Sequence, residues 1–316
     1  MAKIRKFYRR KKNTVYEFNN KSAYRFCPFA FLHGLLPLSL KFVKEEFVAI
    51  ENKRVMGAIS NSFTRGVPTR IRIGEMFFSE ECYDVAKQLV EFVISYYGAK
   101  GAKSFLVKVS NVYSELLNLF VTQYNFRQCS YERLWKVSRR KYEEQDCNIK
   151  IRPFKNSDAS SVAVMHNEAL ISHFRPSLSL PAKSFKDTLF KGLHDVTEFK
   201  YIIEDKNSSS LLAYISISTK DDENYVLDIV QTSWYETKFD DIIAFACSEI
   251  KKRNLSFTLF VKSKKYTLSG SMYDEFLEKN NFLLSQTNVV LVKDFYTTVP
   301  VKQDSDKFVV LGLPSY

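Results

Sequence analysis

At 316 residues, with 45% apolar side chains and few Gly or Pro, the chain can hold two domains of about 150 residues, each with its own core, and is too apolar for a disordered one. A formal charge of +12 favours an acidic partner such as nucleic acid, a phosphorylated ligand or an anionic surface, with a solvated basic face as the equal alternative. Five scattered cysteines (Cys27, Cys82, Cys129, Cys147, Cys247), odd in number and without a CxxC pair, argue against a disulfide framework and a zinc site and fit a reducing, cytoplasmic setting.

The chain opens with KIRKFYRRKK (3–12), seven basic residues around Phe7 and Tyr8. Arg9, Arg10, Lys11 and Lys12 are candidate contacts to RNA or another polyanion, or else an edge strand guarded against aggregation. No apolar stretch follows the charges as in a secretory signal, and the longest apolar run, FCPFAFLHGLLPLSL, is broken by Pro28 and Pro37 and too short to span a membrane. A helix-like segment, NTVYEFNNKSAYRF, is followed by the strands FVAIEN and RVMGAISNSF around a turn at Lys53.

The stretch 69–137 then reads strand, helix, strand, helix, strand. TRIRIGEMFF alternates Ile and Phe with Arg, Ser79 caps the helical EECYDVAKQLVEFVISYY, KSFLVKVS is a strand, VYSELLNLFVTQYN a helix, and FRQCSYERLWKV returns as a strand. Roughly 154 positions later the order recurs as YVLDIVQT, ETKFDDIIAFACSEIKKR, SFTLFVKS, MYDEFLEKN and FLLSQTNVVLVK. Leu89 falls against Ile243, Lys108 against Lys262, and Asn125-Phe126 against Asn281-Phe282. Ile151-Arg152-Pro153-Phe154 matches Ile4-Arg5-Lys6-Phe7, SDASSVAVMHNEALISHF supplies the second helical segment, and FKYIIED and LLAYISIST supply the hairpin around 206–210. The repeat therefore spans whole domains: 1–138, a charged linker at 139–148, and 149–316 with a C-terminal extension whose KFVVLGL could be one more strand.

A copy built in this order and ending in an Asn-Phe turn resembles the GNAT superfamily of acyltransferases, here in tandem. LEKNNF (277–282) is similar to the family's helix-ending Tyr-Glu-Lys-x-Gly-Phe, with Asn281 where a left-handed residue is needed. The resemblance implies an α+β fold of two tandem GNAT-like domains, each a mostly antiparallel mixed sheet flanked by helices. It also implies acetyl-CoA or another acyl-CoA as donor, an acceptor substrate that the sequence leaves unidentified, and no metal.

In the family, a glycine-bearing loop at the start of the helix after the fourth strand cradles the pyrophosphate on bare amides. The matching positions here, 81–86 and 235–240, contain no glycine, and Glu80, Glu81 and Asp84 crowd the first opening with negative charge. Ser79, Tyr83, Ala86, Ser233 and Lys238 are the candidate cofactor contacts that remain, and Ser233-Trp234-Tyr235-Glu236 reads as a capping box. If these loops are closed, no cofactor is bound.

The family's proton-donating Tyr aligns with Val121 and Leu277, neither of which donates, while Tyr113, Tyr124 and Tyr273 stand nearby. Glu75 and Asp228, on the fourth strand of each copy, are the candidate bases, or simply the polar positions of an alternating strand. His166, Glu168 and His173 lie in the region that borders the family's acceptor site. Three functions are compatible with this: an N-acyltransferase with a divergent acyl-CoA site, a catalytically inactive binding or scaffolding protein, and an aminoacyl-tRNA-dependent transferase.

Overall fold

The structure, a computed structural model, describes residues 45–51, 54–78, 83–138, 142, 149–187, 196–205, 210–233 and 235–295. The basic residues Arg9, Arg10, Lys11 and Lys12, the elements expected before 45, Ser79, the turns at Lys53 and 206–209, most of the 139–148 segment and the tail beyond 295 lie outside them.

The first half runs β1 (Glu45–Glu51), β2 (Arg54–Thr64), β3 (Val67–Phe78), α1 (Tyr83–Ala99), β4 (Ser104–Ser110), α2 (Ser114–Asn118) and β5 (Arg127–Lys136). The second runs β6 (Ile151–Pro153), α3 (Ala159–Ala169), α4 (Arg175–Leu178), β7 (Thr197–Glu204), β8 (Leu211–Thr219) and β9 (Asn224–Gln231). It continues through α5 (Phe239–Lys251), β10 (Thr258–Lys264), α6 (Gly270–Lys279) and β11 (Leu283–Asp294).

Helix α1 buries Ala86, Leu89, Val90, Val93 and Tyr97, and α5 buries Ile242, Ile243, Ala246, Cys247 and Ile250. Both are stripes at helical spacing that face the sheet. In β4 and β10 buried and half-buried residues alternate, as strands with two dissimilar faces require. Asn125 and Asn281 adopt φ of 53° and 56°, so each half reverses into its last strand through a left-handed Asn, with buried Phe126 or Phe282 following.

Three expected helices are altered by tertiary contacts. The one over 112–125 is α-helical only to Asn118; Leu119–Gln123 winds as a π turn, which keeps Leu119 and Phe120 in the core and leaves Val121 exposed. The one over 157–174 stops at Ala169, because Leu170 turns extended to bridge Thr267. Helix α5 starts at Phe239 instead of Glu236, and the capping box expected at 233–236 does not form. Gln231 holds the preceding loop instead, donating to the Tyr235 carbonyl at 3.2 Å and accepting from the Thr237 hydroxyl.

The mixed sheets of the two halves join into one, with strand order β1-β2-β3-β4-β11-β5-β10-β9-β8-β7-β6. The last strand of each half thus lies beside the other half's central strand. In the β5–β11 pair, Leu283 faces Lys136 and Val292 faces Arg127, with Asn288 opposite Glu132 between them. Exchanging the two halves maps this register onto itself, and it turns the pairing of Lys262 with Leu134 into that of Lys108 with Val290. A pseudo-twofold axis therefore passes between Glu132 and Asn288, which is the structural signature of the internal repeat.

The cores are stitched across this axis. Val289 and Leu291 of β11 complete the first-half core, while Trp135, Val137 and Tyr142 join the second-half core. Tyr142 falls in the segment read as a polar linker, yet it is buried, stacks on Phe282 and donates to Asp240 at 2.8 Å. On the same face, Asp274 of α6 accepts from Arg133 (2.9 Å), Trp135 (3.1 Å) and Ser263 and pairs with Lys265 at 2.7 Å.

Removing one partner of such a buried network leaves the others uncompensated. Asp274→Ala is expected to cost about 3 to 5 kcal/mol in urea unfolding of the whole chain. A loss below about 1 kcal/mol, the range of an exposed pair, would refute this role.

Candidate functional site

Strands β3 and β4 pair in parallel from Arg70–Ser104 to Ile73–Val107 and then part, although both continue. Strands β9 and β10 do the same beyond Asp228–Lys262. The duplicated fold thus has two clefts of the same origin. In the first, Gly74 is bulged out of the β2–β3 ladder between Ile73 and Glu75, which turns Glu75 away from the α1 side. Strand β9 has no such bulge.

The second cleft is bridged by side chains. The Tyr273 hydroxyl on α6 donates to Gln231 Oε1 at 2.8 Å, and the Thr237 hydroxyl donates to the same oxygen. Phe239, the first residue of α5, packs edge-on against Tyr273 and stacks on Phe276, with ring centres 4.7 and 4.6 Å apart. Outside this plug lies an open depression of about 380 Å³, lined by Thr237, Lys238, Phe239, Asp240, Asp241 and Phe276. Two carboxylates at a helix start disfavour an incoming anion.

In the first half, tyrosines tie the helices together. Tyr83 donates to the Glu115 carbonyl at 3.0 Å and Tyr124 to the Lys87 carbonyl at 2.7 Å. Of the other cofactor candidates, Ala86 is fully buried in the core, and Ser233 and Lys238 are exposed. At the start of α5 the described residues would meet a pyrophosphate with two carboxylates and one lysine, in the depression that stays open beside the plug.

Candidate proton donors are engaged. Tyr273 is buried, and burial raises its hydroxyl far above the usual range. Burial likewise raises Tyr124. Tyr113 is half-buried against the first core. Leu277 is buried and Val121 exposed. Neither carboxylate candidate is an isolated base: Glu75 is buried with Lys220 at 3.3 Å, and Asp228 is paired with Lys262 at 2.9 Å and Lys264 at 2.7 Å. Despite its burial, these two ammonium groups hold Asp228 far below the usual carboxylate range.

His166 lies beside Asp228 and Lys264, its Nδ1 3.2 Å from Asn167 Oδ1. Burial, reinforced by Lys264, pushes it down to about 4, so it is neutral at pH 7. Glu168 and His173 are exposed and take no part in this cluster. Among the described residues no group of three or more His, Cys, Asp or Glu could hold a metal ion.

What the sequence did not single out is an ionic cluster on the axis, on the sheet face opposite α1 and α5. Glu132, 4% exposed, accepts from the Lys108 ammonium with both carboxylate oxygens, at 2.7 and 2.8 Å, and from the Tyr266 hydroxyl. Lys262, Lys264 and Asp228 continue it, and Arg72 adds its charge from β3. Although burial opposes ionisation, Lys108, Lys262 and Lys264 lower Glu132 to about 2. Burial lowers Lys108 to about 8 against the pull of Glu132, with repulsion from Lys262 and Arg72 adding to it, whereas Asp228 and Glu132 overcome burial at Lys262 and raise it. The equivalence of Lys108 and Lys262 in the repeat was the one available signal.

No protein-family model matches the chain, and no curated protein matches it. Among solved structures, a tandem GNAT protein from the clavulanic acid biosynthesis pathway is similar at TM-score 0.54 and 10% identity, over 81% of this chain and 86% of that one. The fold is that of the GNAT acyltransferases, in tandem. A GCN5-related N-acetyltransferase from Sphaerobacter thermophilus is similar at TM-score 0.53 and 10% identity, over 84% of this chain and 85% of that one. At such identities the GNAT likeness is one of fold. No helix of the described residues is long and apolar enough to cross a membrane.

The cluster fixes the sign of two pH effects. Glu132 is lowered from 4.5, so its contribution to stability is present above that value and is lost as pH falls toward about 2. Lys108 is lowered from 10.5, so the unfolded chain holds the extra proton between about 8 and 10.5, and stability rises with pH there. Urea midpoints at pH 8, 9 and 10 are expected to climb relative to those of Lys108→Met. Parallel profiles would show that Lys108 titrates normally.

Proposed function

We propose that this protein is a GNAT-fold binding protein that does not carry out acyl transfer. The observation that carries this reading is the plug at Gln231, where Tyr273 and Thr237 donate to one amide oxygen across the second cleft. It occupies the hydroxyl nearest to the family's general-acid position, and it does so beside two carboxylates at the start of α5. In the first half, the hydroxyls of Tyr83 and Tyr124 are spent on carbonyls of neighbouring helices. Loss of glycine from both loops agrees with this.

A second reading, an N-acyltransferase working from the first cleft alone, is supported by the bulge at Gly74, which sets buried Glu75 at the point where β3 and β4 part. An aminoacyl-tRNA-dependent transferase has only the net charge of +12 and the basic residues 9–12 in its favour.

Titration with acetyl-CoA separates the first two. A ligand at 100 times its dissociation constant adds about 2.7 kcal/mol to stability. The binding reading expects no thermal shift with acetyl-CoA at millimolar concentration. A saturable shift, with acetyl transfer to an amine that survives Tyr273→Phe but is lost in Glu75→Gln, would overturn it in favour of the first-cleft enzyme. The Tyr273→Phe substitution itself is expected to cost about 1 kcal/mol, one buried hydrogen bond, in urea unfolding.

A further inference from the structure

Duplication about the axis brings Lys108 and Lys262 into one cluster, but the residues paired on the axis itself are Glu132 and Asn288, so only one carboxylate is supplied where symmetry would give two or none. Lys264 adds a third ammonium; its counterpart in the first half is Ser110. Asp228 is the second carboxylate, with Gly74 as its counterpart. Three ammonium groups therefore share two acids, and the Arg72 guanidinium raises the excess.

The donors are also underused. An ammonium offers three N–H bonds. Lys108 directs two to Glu132 and Lys262 directs one to Asp228, while Lys264 stands against Asp228 as an ion pair at 2.7 Å. The side chains of Lys108 and Lys262 keep 20% and 23% of their surface exposed, so the cluster opens to solvent instead of being sealed. Surplus positive charge with spare N–H donors, held rigidly by two carboxylates and a strand pair, suits a compact tetrahedral anion that accepts from several directions.

We propose that Lys108, Lys262 and Lys264, with Arg72 at the rim, form a binding site for a phosphate group at the junction of the two halves. This site lies apart from both clefts' helix starts, and it stands whether the clefts are silent or active.

The test is calorimetric titration of the full chain with inorganic phosphate and with a phosphomonoester, at constant ionic strength held with sodium chloride. Saturable binding of phosphate is expected, with chloride alone giving none. If the phosphomonoester binds more tightly than free phosphate, the phosphate belongs to a larger ligand; if it does not bind while phosphate does, the ligand is the free ion. Arg72→Gln, on an exposed side chain, is expected to fold normally and weaken binding several-fold. The paired change Asp228→Asn with Lys262→Met removes an acid and a base together and is expected to weaken it about tenfold, the worth of one charge-assisted hydrogen bond. Non-saturable heats, or affinities unchanged in both variants, would overturn the site. A thermal shift with acetyl-CoA bears on the clefts alone if it persists in Arg72→Gln.

Discussion

The antiparallel pairing of β5 with β11 holds the molecule together. Each of these strands ends one half of the sequence, and each lies beside the other half's parallel pair, so the hydrogen bonds that close one sheet are also those that fuse the two. The exchange explains why Val289 and Leu291 sit in the first core and Trp135 in the second. It also explains why Asp274 can clasp Arg133 and Trp135, residues more than a hundred positions away in the chain.

The same exchange concentrates charge. Bringing the two copies of one lysine to a common axis would be prohibitive without counter-charge, since ammonium groups in a partly buried setting repel strongly. Glu132 and Asp228 meet that demand incompletely, and the departure of the pair Glu132–Asn288 from symmetry sets the balance. The second cleft has gone the other way. Gln231, Thr237 and Tyr273 satisfy one another internally, and the polar atoms that an open cleft would offer to a ligand are spent on the protein itself.

Much of the fold was legible because it depends on local pattern. Strand alternation located β3, β4, β5 and their echoes to within a few residues, and the Asn-Phe turns carried a backbone requirement, positive φ, that both structures of the repeat satisfy. What was not legible depended on partners far along the chain. Nothing local says that Leu170 must turn extended to meet Thr267, that the loop before α5 is captured by Gln231, or that Tyr142 in a charged segment is buried against Phe282. The ionic cluster is of the same kind: its members come from five strands and the loop that holds Tyr266, and only the strand exchange makes them neighbours. The carboxylates Glu75 and Asp228 were visible as polar strand positions, but their lysine partners, which decide their chemistry, were not.

The placement of β11 also has a bearing on biosynthesis. Strand β4 pairs with it from Ser104 opposite Asp294 to Ser110 opposite Asn288, so one flank of the first half's sheet has no mate until β11 itself has been synthesised. At typical elongation rates that interval is on the order of 10 to 40 s, during which a flat row of unpaired amides and carbonyls is open to other nascent chains. The lysines at 103 and 108 put charge on that waiting flank, which discourages edge-to-edge pairing until β11 arrives.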